Sequence, residues 1–390
     1  MSKIIYLIEQ PLDVRNYNRF GIQTWIDRGW DIEIWDLTPL LHPRVWQNYF
    51  ETGHEIKKIE GYFPIVSKSE LYCSYARAKK IDYYIDLIGV NNVSLRVKLH
   101  LKRIGAKGII ISNGSIPEPE YNGAIYIASI LRKIRKNPIN SLKWLVEALL
   151  RKLATFYIRP WLGVISGEKS IQFMSYANEL IMAHNLDYDL YLKNKQTIDV
   201  TRGKYAVFID NDYCFHSDFI YLSIAAPATP EKYFSVVCNA LHRVSDALEL
   251  ELYIAAHPRS SYQHRGKDYY EGIPIIYGST VDLIRDCTIV VGHNSAAVQF
   301  AVLFEKPIVF VTTDELNSSL YTSASIACFA SELGKSVVNI DRDLDKVVWS
   351  NELIIDHKKY SDYRHKYIKI EGSLEKPFWD IVIDHLEKYT

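Results

Sequence analysis

Three stretches, Tyr-Ala-Val-Phe-Ile-Asp-Asn-Asp at 205–212, Leu-Tyr-Ile-Ala-Ala-His-Pro-Arg at 252–259 and Thr-Ile-Val-Val-Gly-His-Asn-Ser at 288–295, decide the fold. Each is an apolar run that ends in a polar cluster. Short runs of β-branched and aromatic residues suit strands covered on both faces, as in a parallel sheet. Helical patterns separate them. Thr229 is placed as the N-cap of a helix from Pro230 to Leu248, with proline at the first position. Ser279 is placed to cap a helix reaching Cys287. A third helix is expected from about Ser295 to Glu305, where Lys306-Pro307 stops it, and Ile308–Val311 is the next strand. Ligands of open parallel sheets bind outside the carboxyl ends of the strands, so the three clusters point at one cleft.

Working outward, the same alternation fills the first half. Strands are predicted at 3–9, 31–35, 81–88, 108–111 and 178–181, and helices at 20–28, 69–80 and 91–104. Short strands at 274–277 and 337–340 complete the second half. The fold class is therefore α/β, with two Rossmann-like, doubly wound domains and a cleft between them. The domains are placed at 1–200 and 201–390, with the boundary near 195–203. The tail, rich in Tyr, Lys and Asp, is expected to form helices that pack back across the first domain.

The 390 residues include 46 Lys+Arg and 46 Asp+Glu, a formal net charge of +0. That balance argues against a bulk polyanion such as nucleic acid as partner. The five cysteines, Cys73, Cys214, Cys238, Cys287 and Cys328, form no C-x-x-C pair. Neither a zinc site nor a disulfide framework is indicated, and a reducing, cytoplasmic compartment is expected. The first residues reach a charge too early for a secretory signal, and no stretch has the roughly 18 uncharged apolar residues of a membrane span.

Residues 122–162 stand apart. Arg132, Lys133, Arg135, Lys136, Lys143, Arg151, Lys152 and Arg159 interleave with Ile130, Ile134, Trp144, Leu145 and Leu149, and Glu147 is the one acid. Such a basic amphipathic pair of helices can lie on an anionic membrane surface, which would make the protein peripheral at the inner face of the cytoplasmic membrane. The other reading is a helical lobe with a solvated basic face. Both stay open.

The clusters carry distinct chemistry. Gly292-His293-Asn294-Ser295, read as a helix start, offers free N–H groups and two polar side chains to a phosphate. Pro258 cannot continue a central ladder, so His257 is held at the crevice edge, able to donate to a phosphate oxygen or protonate a leaving group. Arg259 adds a charge suited to phosphate. Asp210 and Asp212, two apart, would share a face on a continuing strand and can serve as base, nucleophile or ligand; His216 and Asp218 follow closely. In the first half Glu9, Gln10, Arg15, Asp36, Asn113 and Ser115 lie near strand ends. Glu9, Arg15, Asn113 and Ser115 are taken as acceptor-binding candidates, though each can equally cap a turn.

The acidic motif Asp210-Asn211-Asp212, then His257-Pro258, then Asn294-Ser295-Ala296 resemble the ordered motifs of bacterial transferases that use CMP-activated 2-keto-3-deoxy sugars, the sialyltransferases and Kdo transferases of capsule and lipopolysaccharide synthesis. The likeness spans about 205–313. The acidic motif lacks the glycine of sialyltransferases, and Ala296 stands where a second hydroxyl is usual. The resemblance implies a GT-B architecture and no cofactor beyond the CMP-sugar donor. It also implies a glycan or lipid-linked acceptor. His257 and Ser295 would hold the CMP phosphate, within a donor site of His257, Pro258, Arg259, Gly292, His293, Asn294 and Ser295. Asp210 or Asp212 would deprotonate the acceptor or attack the anomeric carbon. No metal is required, since a nucleoside monophosphate leaves readily. Three rivals are a CDP-glycerol-type glycerophosphotransferase, a UDP-sugar transferase or 2-epimerase, and a non-catalytic nucleotide-binding envelope protein.

Overall fold

A computed structural model of the chain describes residues 2–51, 53–78, 80–112, 114–119, 149, 152–153, 156–195, 204–216, 218–219 and 224–389. The basic segment 122–162, the domain boundary near 195–203 and Asn113 thus lie largely or wholly outside the described residues. Two sheets organise the rest. The first holds β1 (Lys3–Ile8), β2 (Asp31–Asp36), β3 (Tyr62–Pro64), β4 (Tyr83–Leu87), β5 (Lys107–Ile111), β6 (Leu162–Ile165) and β7 (Glu179–Met182) in the order β3-β2-β1-β4-β5-β6-β7. The second holds β8 (Tyr205–Ile209), β9 (Glu251–Ala255), β10 (Ile275–Ile276), β11 (Ile289–Gly292), β12 (Ile308–Thr312) and β13 (Val337–Asn339) in the order β10-β9-β8-β11-β12-β13. Every pairing between these strands is parallel. This is the two-domain α/β fold expected, in the GT-B arrangement.

Each central strand feeds two cores, because successive side chains leave opposite faces of a strand. Ile4, Tyr6 and Ile8 of β1 enter one apolar cluster, and Ile5 and Leu7 enter another with Trp35. In β8, Tyr205, Val207 and Ile209 face one side while Ala206 and Phe208 face the other. Continuous apolar runs are thus required here, and burial of each large side chain contributes about 2 kcal/mol. The helix Pro230–Leu248 has the bounds expected, but its Thr229 makes no side-chain cap. The Thr229 hydroxyl donates instead to Glu315 at 2.7 Å. Ser279 likewise makes no side-chain cap on the helix Thr280–Asp286.

The tail ties the two lobes together. Tyr360, Tyr363, Tyr367 and Ile368 pack into a core of the second domain, and Phe378, Trp379, Val382 and Ile383 pack into a core of the first. Gly21 makes the second docking achievable: its φ is +59°, and a Cβ there would lie 2.1 Å from the Trp379 ring. Asn185 and Gln299 add a polar bridge, with the Gln299 amide also donating to Asp187 at 3.1 Å.

Candidate functional site

A cavity of about 300 Å³ opens between the domains, at the lower end of the roughly 300–1,000 Å³ typical of small-molecule sites. Gln10, Pro11, Asp13 and Tyr49 line it from the segments after β1 and β2, and His216, Pro258, Arg259 and Arg265 line it from the loops after β8 and β9. This is the carboxyl end of both sheets, as the strand-end rule requires.

The chain reaches this edge through Asp210. Its carboxyl is buried and accepts four hydrogen bonds: from Asp212 N–H at 2.8 Å, Tyr270 O–H at 3.0 Å, Tyr262 O–H at 2.9 Å and His257 N–H at 3.3 Å. Asp210 therefore anchors the loop after β8 to the start of the loop after β9. Burial pushes its carboxyl above the ordinary range, against the pull of those donors. Asp212 does not continue the strand. Its φ is +51°, the left-handed region that non-glycine residues seldom adopt. The two carboxylates still meet, through the Tyr262 hydroxyl, which lies 3.2 Å from Asp212. One hydroxyl has one proton, so it cannot donate to both. Burial, then the neighbouring Asp210, push the Asp212 carboxyl up to about 8, so a proton shared at this junction is favoured. Both aspartates are almost fully buried and neither lines the cavity.

His257 sits beside His216, their Nε2 atoms 3.3 Å apart. Burial, then His216, Arg259 and Arg15, hold the His257 imidazole well below its usual range, so it is neutral. Burial lowers His216 as well, with Asp218 opposing. Arg259 spans the cleft, donating to Asp218 of its own domain at 3.1 Å and to Gln10 of the other at 3.0 Å. Arg15 lies exposed on the helix Val14–Arg19 and does not line the cavity. Asp13 caps that helix, accepting from Asn16 N–H at 2.6 Å, while facing the cavity. Tyr49 stacks on His54 at 5.1 Å, and Arg265 lies 3.8 Å over the Phe215 ring, giving the cavity aromatic walls.

The third cluster is placed differently from the reading of its sequence. The helix after β11 is Val298–Leu303, not a helix opening at Ser295. Ser295 forms a small turn, its hydroxyl accepting from Ala297 N–H at 3.2 Å. His293 is wholly buried, held between the Val311 carbonyl at 2.6 Å and the Tyr233 hydroxyl at 2.9 Å. A ring with both nitrogens occupied inside a core is not a phosphate ligand, and His293 is corrected to a structural residue. The Asn294 amide is bonded to Tyr213 and Ser325. Gly292 ends β11 within the core. Glu9 accepts from Gly89 N–H at 2.9 Å and lies 3.5 Å from His42, tying β1 to β4. Ser115 is half-buried after β5. None of these lines the cavity. Among the lining residues, Asp13 was hidden from the sequence by its capping role, and His216, noted only as a neighbour of the acidic motif, was hidden in a loop.

Comparison with known proteins reaches the fold. No protein-family model matches the chain, and no curated protein matches it. Among solved structures it is similar to the glycotransferase of kitacinnamycin, at 11% identity and TM-score 0.54 over 99% of this chain and 98% of that one. It is similar to UDP-GlcNAc 2-epimerase from Methanocaldococcus jannaschii, at 12% identity and TM-score 0.51 over 100% of both chains. It also resembles the wall teichoic acid polymerase TagF, in a variant soaked with CDPG, at 10% identity and TM-score 0.50 over 100% of this chain and 90% of that one. These likenesses establish a GT-B fold.

Proposed function

We propose that the chain is a transferase that takes a nucleotide-activated group into the interdomain cleft and passes it to a glycan or lipid-linked acceptor. One observation carries this reading: His216 and Arg259 line the cavity at the carboxyl end of the second sheet, with His257 lying against His216, and a carboxylate, Asp13, lines the same cavity from the first. Imidazole N–H groups and a guanidinium suit a phosphate. A carboxylate across the gap suits an acceptor hydroxyl. In the step this allows, the acceptor oxygen attacks the activated carbon as the bond from that carbon to the phosphate oxygen breaks. The nucleotide leaves with that electron pair, and the hydroxyl proton passes to Asp13. Asp13 is preferred to Asp212 as the base because it lines the cavity, whereas Asp212 is buried and does not.

The donor expected from the His-Pro motif is a CMP-activated 2-keto-3-deoxy sugar. The second reading is glycerophosphate transfer from CDP-glycerol, favoured by the likeness to TagF. Calorimetric titration with CMP, CDP and UDP separates these, and tight binding of UDP alone would remove both. Release of CMP from a panel of CMP-sugars tests turnover. With the donor found, Asp13→Asn is expected to lower kcat by about 10²-fold or more and to leave nucleotide affinity within about threefold. Unchanged turnover would return the base role to Asp212.

A further inference from the structure

Two backbone amides settle where the protons of the histidine pair sit. Arg259 N–H donates to Nδ1 of His257 at 3.2 Å, and Asp218 N–H donates to Nδ1 of His216 at 3.1 Å. A nitrogen that accepts from an amide carries a lone pair and no proton. A neutral imidazole has one N–H, so in both rings it lies on Nε2. Those two Nε2 atoms are the ones 3.3 Å apart, with ring centroids at 4.4 Å and planes at 66°. Two donors therefore face each other and neither satisfies the other. The charged groups around them are Arg259 and Arg15, both positive, and Asp218, which lies 3.5 Å from His216 on the Nδ1 side. An oxyanion is the acceptor this arrangement favours most: it takes both N–H groups and sits in the field of two guanidiniums.

We infer that His216 and His257 form one two-pronged donor that receives a non-bridging phosphate oxygen of the nucleotide, with His216 a second binding residue for that phosphate. The inference rests on the reading of the cleft as a nucleotide site. It makes the pair a preorganised site whose protonation is set by the main chain before any ligand arrives. It also gives the Asp212 turn a purpose, because Asp212 C=O accepts from His216 N–H at 2.8 Å and so sets the start of the ring's own loop.

The test uses the full chain with ¹⁵N-labelled histidine. Both rings are expected to show a pyridine-type Nδ1 and a protonated Nε2, and inorganic phosphate is expected to shift the two Nε2–H signals together. A protonated Nδ1 in either ring of the ligand-free protein overturns the inference. Titration follows, with whichever of CMP, CDP and UDP the wild type binds. His216→Gln keeps an N–H near the Nε2 position, and His216→Asn moves it to the Nδ1 position. The expected result is affinity within about threefold for Gln and a loss of about tenfold or more for Asn and for His216→Ala. Equal affinity in all three, with binding still lost in Arg259→Ala, overturns the two-pronged donor and keeps the nucleotide site. No binding of any nucleotide or phosphate by the wild type overturns both. Should the alanine variant fail to fold, the Gln–Asn pair and the wild-type spectrum decide.

Discussion

His257 and His293 stand at the ends of β9 and β11, on either side of β8 in one sheet, and both follow a buried apolar run. Their surroundings separate them. His293 donates from Nδ1 to the Val311 carbonyl and accepts at Nε2 from Tyr233, so both nitrogens are satisfied inside the protein. His257 accepts at Nδ1 from Arg259 N–H and turns Nε2–H toward another donor. One tautomer closes a core, and the other leaves an N–H directed at the ring of His216, which lines the cleft. A count of hydrogen-bond partners, not burial, tells the two roles apart, since both rings are buried deeply enough to be held neutral.

The largest expected effect concerns the residue that holds His257 in place. Asp210→Ala leaves four donors without an acceptor, each worth about 1–3 kcal/mol when stranded, and is expected to lower unfolding free energy by at least about 3 kcal/mol in urea. A loss under about 1 kcal/mol would mean that Asp210 is not the anchor of this edge. His293→Ala comes next. It removes a buried ring and strands a carbonyl and a hydroxyl, for an expected loss of about 3 kcal/mol, while nucleotide affinity per folded molecule stays within about threefold. A tenfold weaker nucleotide affinity would erase the distinction between the two histidines.

The smallest effect is read from pH. Burial lowers the His293 imidazole to about 4, against an ordinary value of 6.5. The unfolded chain binds this proton first as pH falls, so the contribution is complete above about pH 6.5 and is lost on the way down to about 4. Its full size is about 3 kcal/mol, of which the window from pH 6.5 to 5 reports about 2 kcal/mol. Between pH 7 and pH 5 the wild type should lose about 2 kcal/mol more than the His293→Ala background, a difference that removes the parts due to carboxylates and to the lowered His216 and His257. An equal decline in both would place the titration elsewhere.

Much of the fold was legible because central parallel strands need unbroken apolar runs, as at 4–8 and 205–209. Two strands were not. Tyr62–Pro64 is three residues ending in proline, and Leu162–Ile165 is four residues beside Pro160, both too short to show a period. The helix after β11 was read three residues long at its start, because Ser295 resembles a cap while its hydroxyl in fact closes a turn one residue wide. Pro258 made His257 legible, since it forces the chain out of the sheet. His216 and Asp13 were illegible as partners because their meeting depends on two loops and two domains, which no local spacing encodes. The reverse holds for His293: its motif was visible, and the Tyr233 hydroxyl that occupies it comes from a helix 60 residues away.

The most direct measurement is the affinity of His257→Ala for the nucleotide that the wild type binds, with thermal unfolding recorded on the same samples. A loss of about tenfold or more, with a melting temperature within a few degrees of wild type, is the expected result. Affinity equal to wild type would contradict the assignment of the interdomain cleft as the place where the nucleotide phosphate is held.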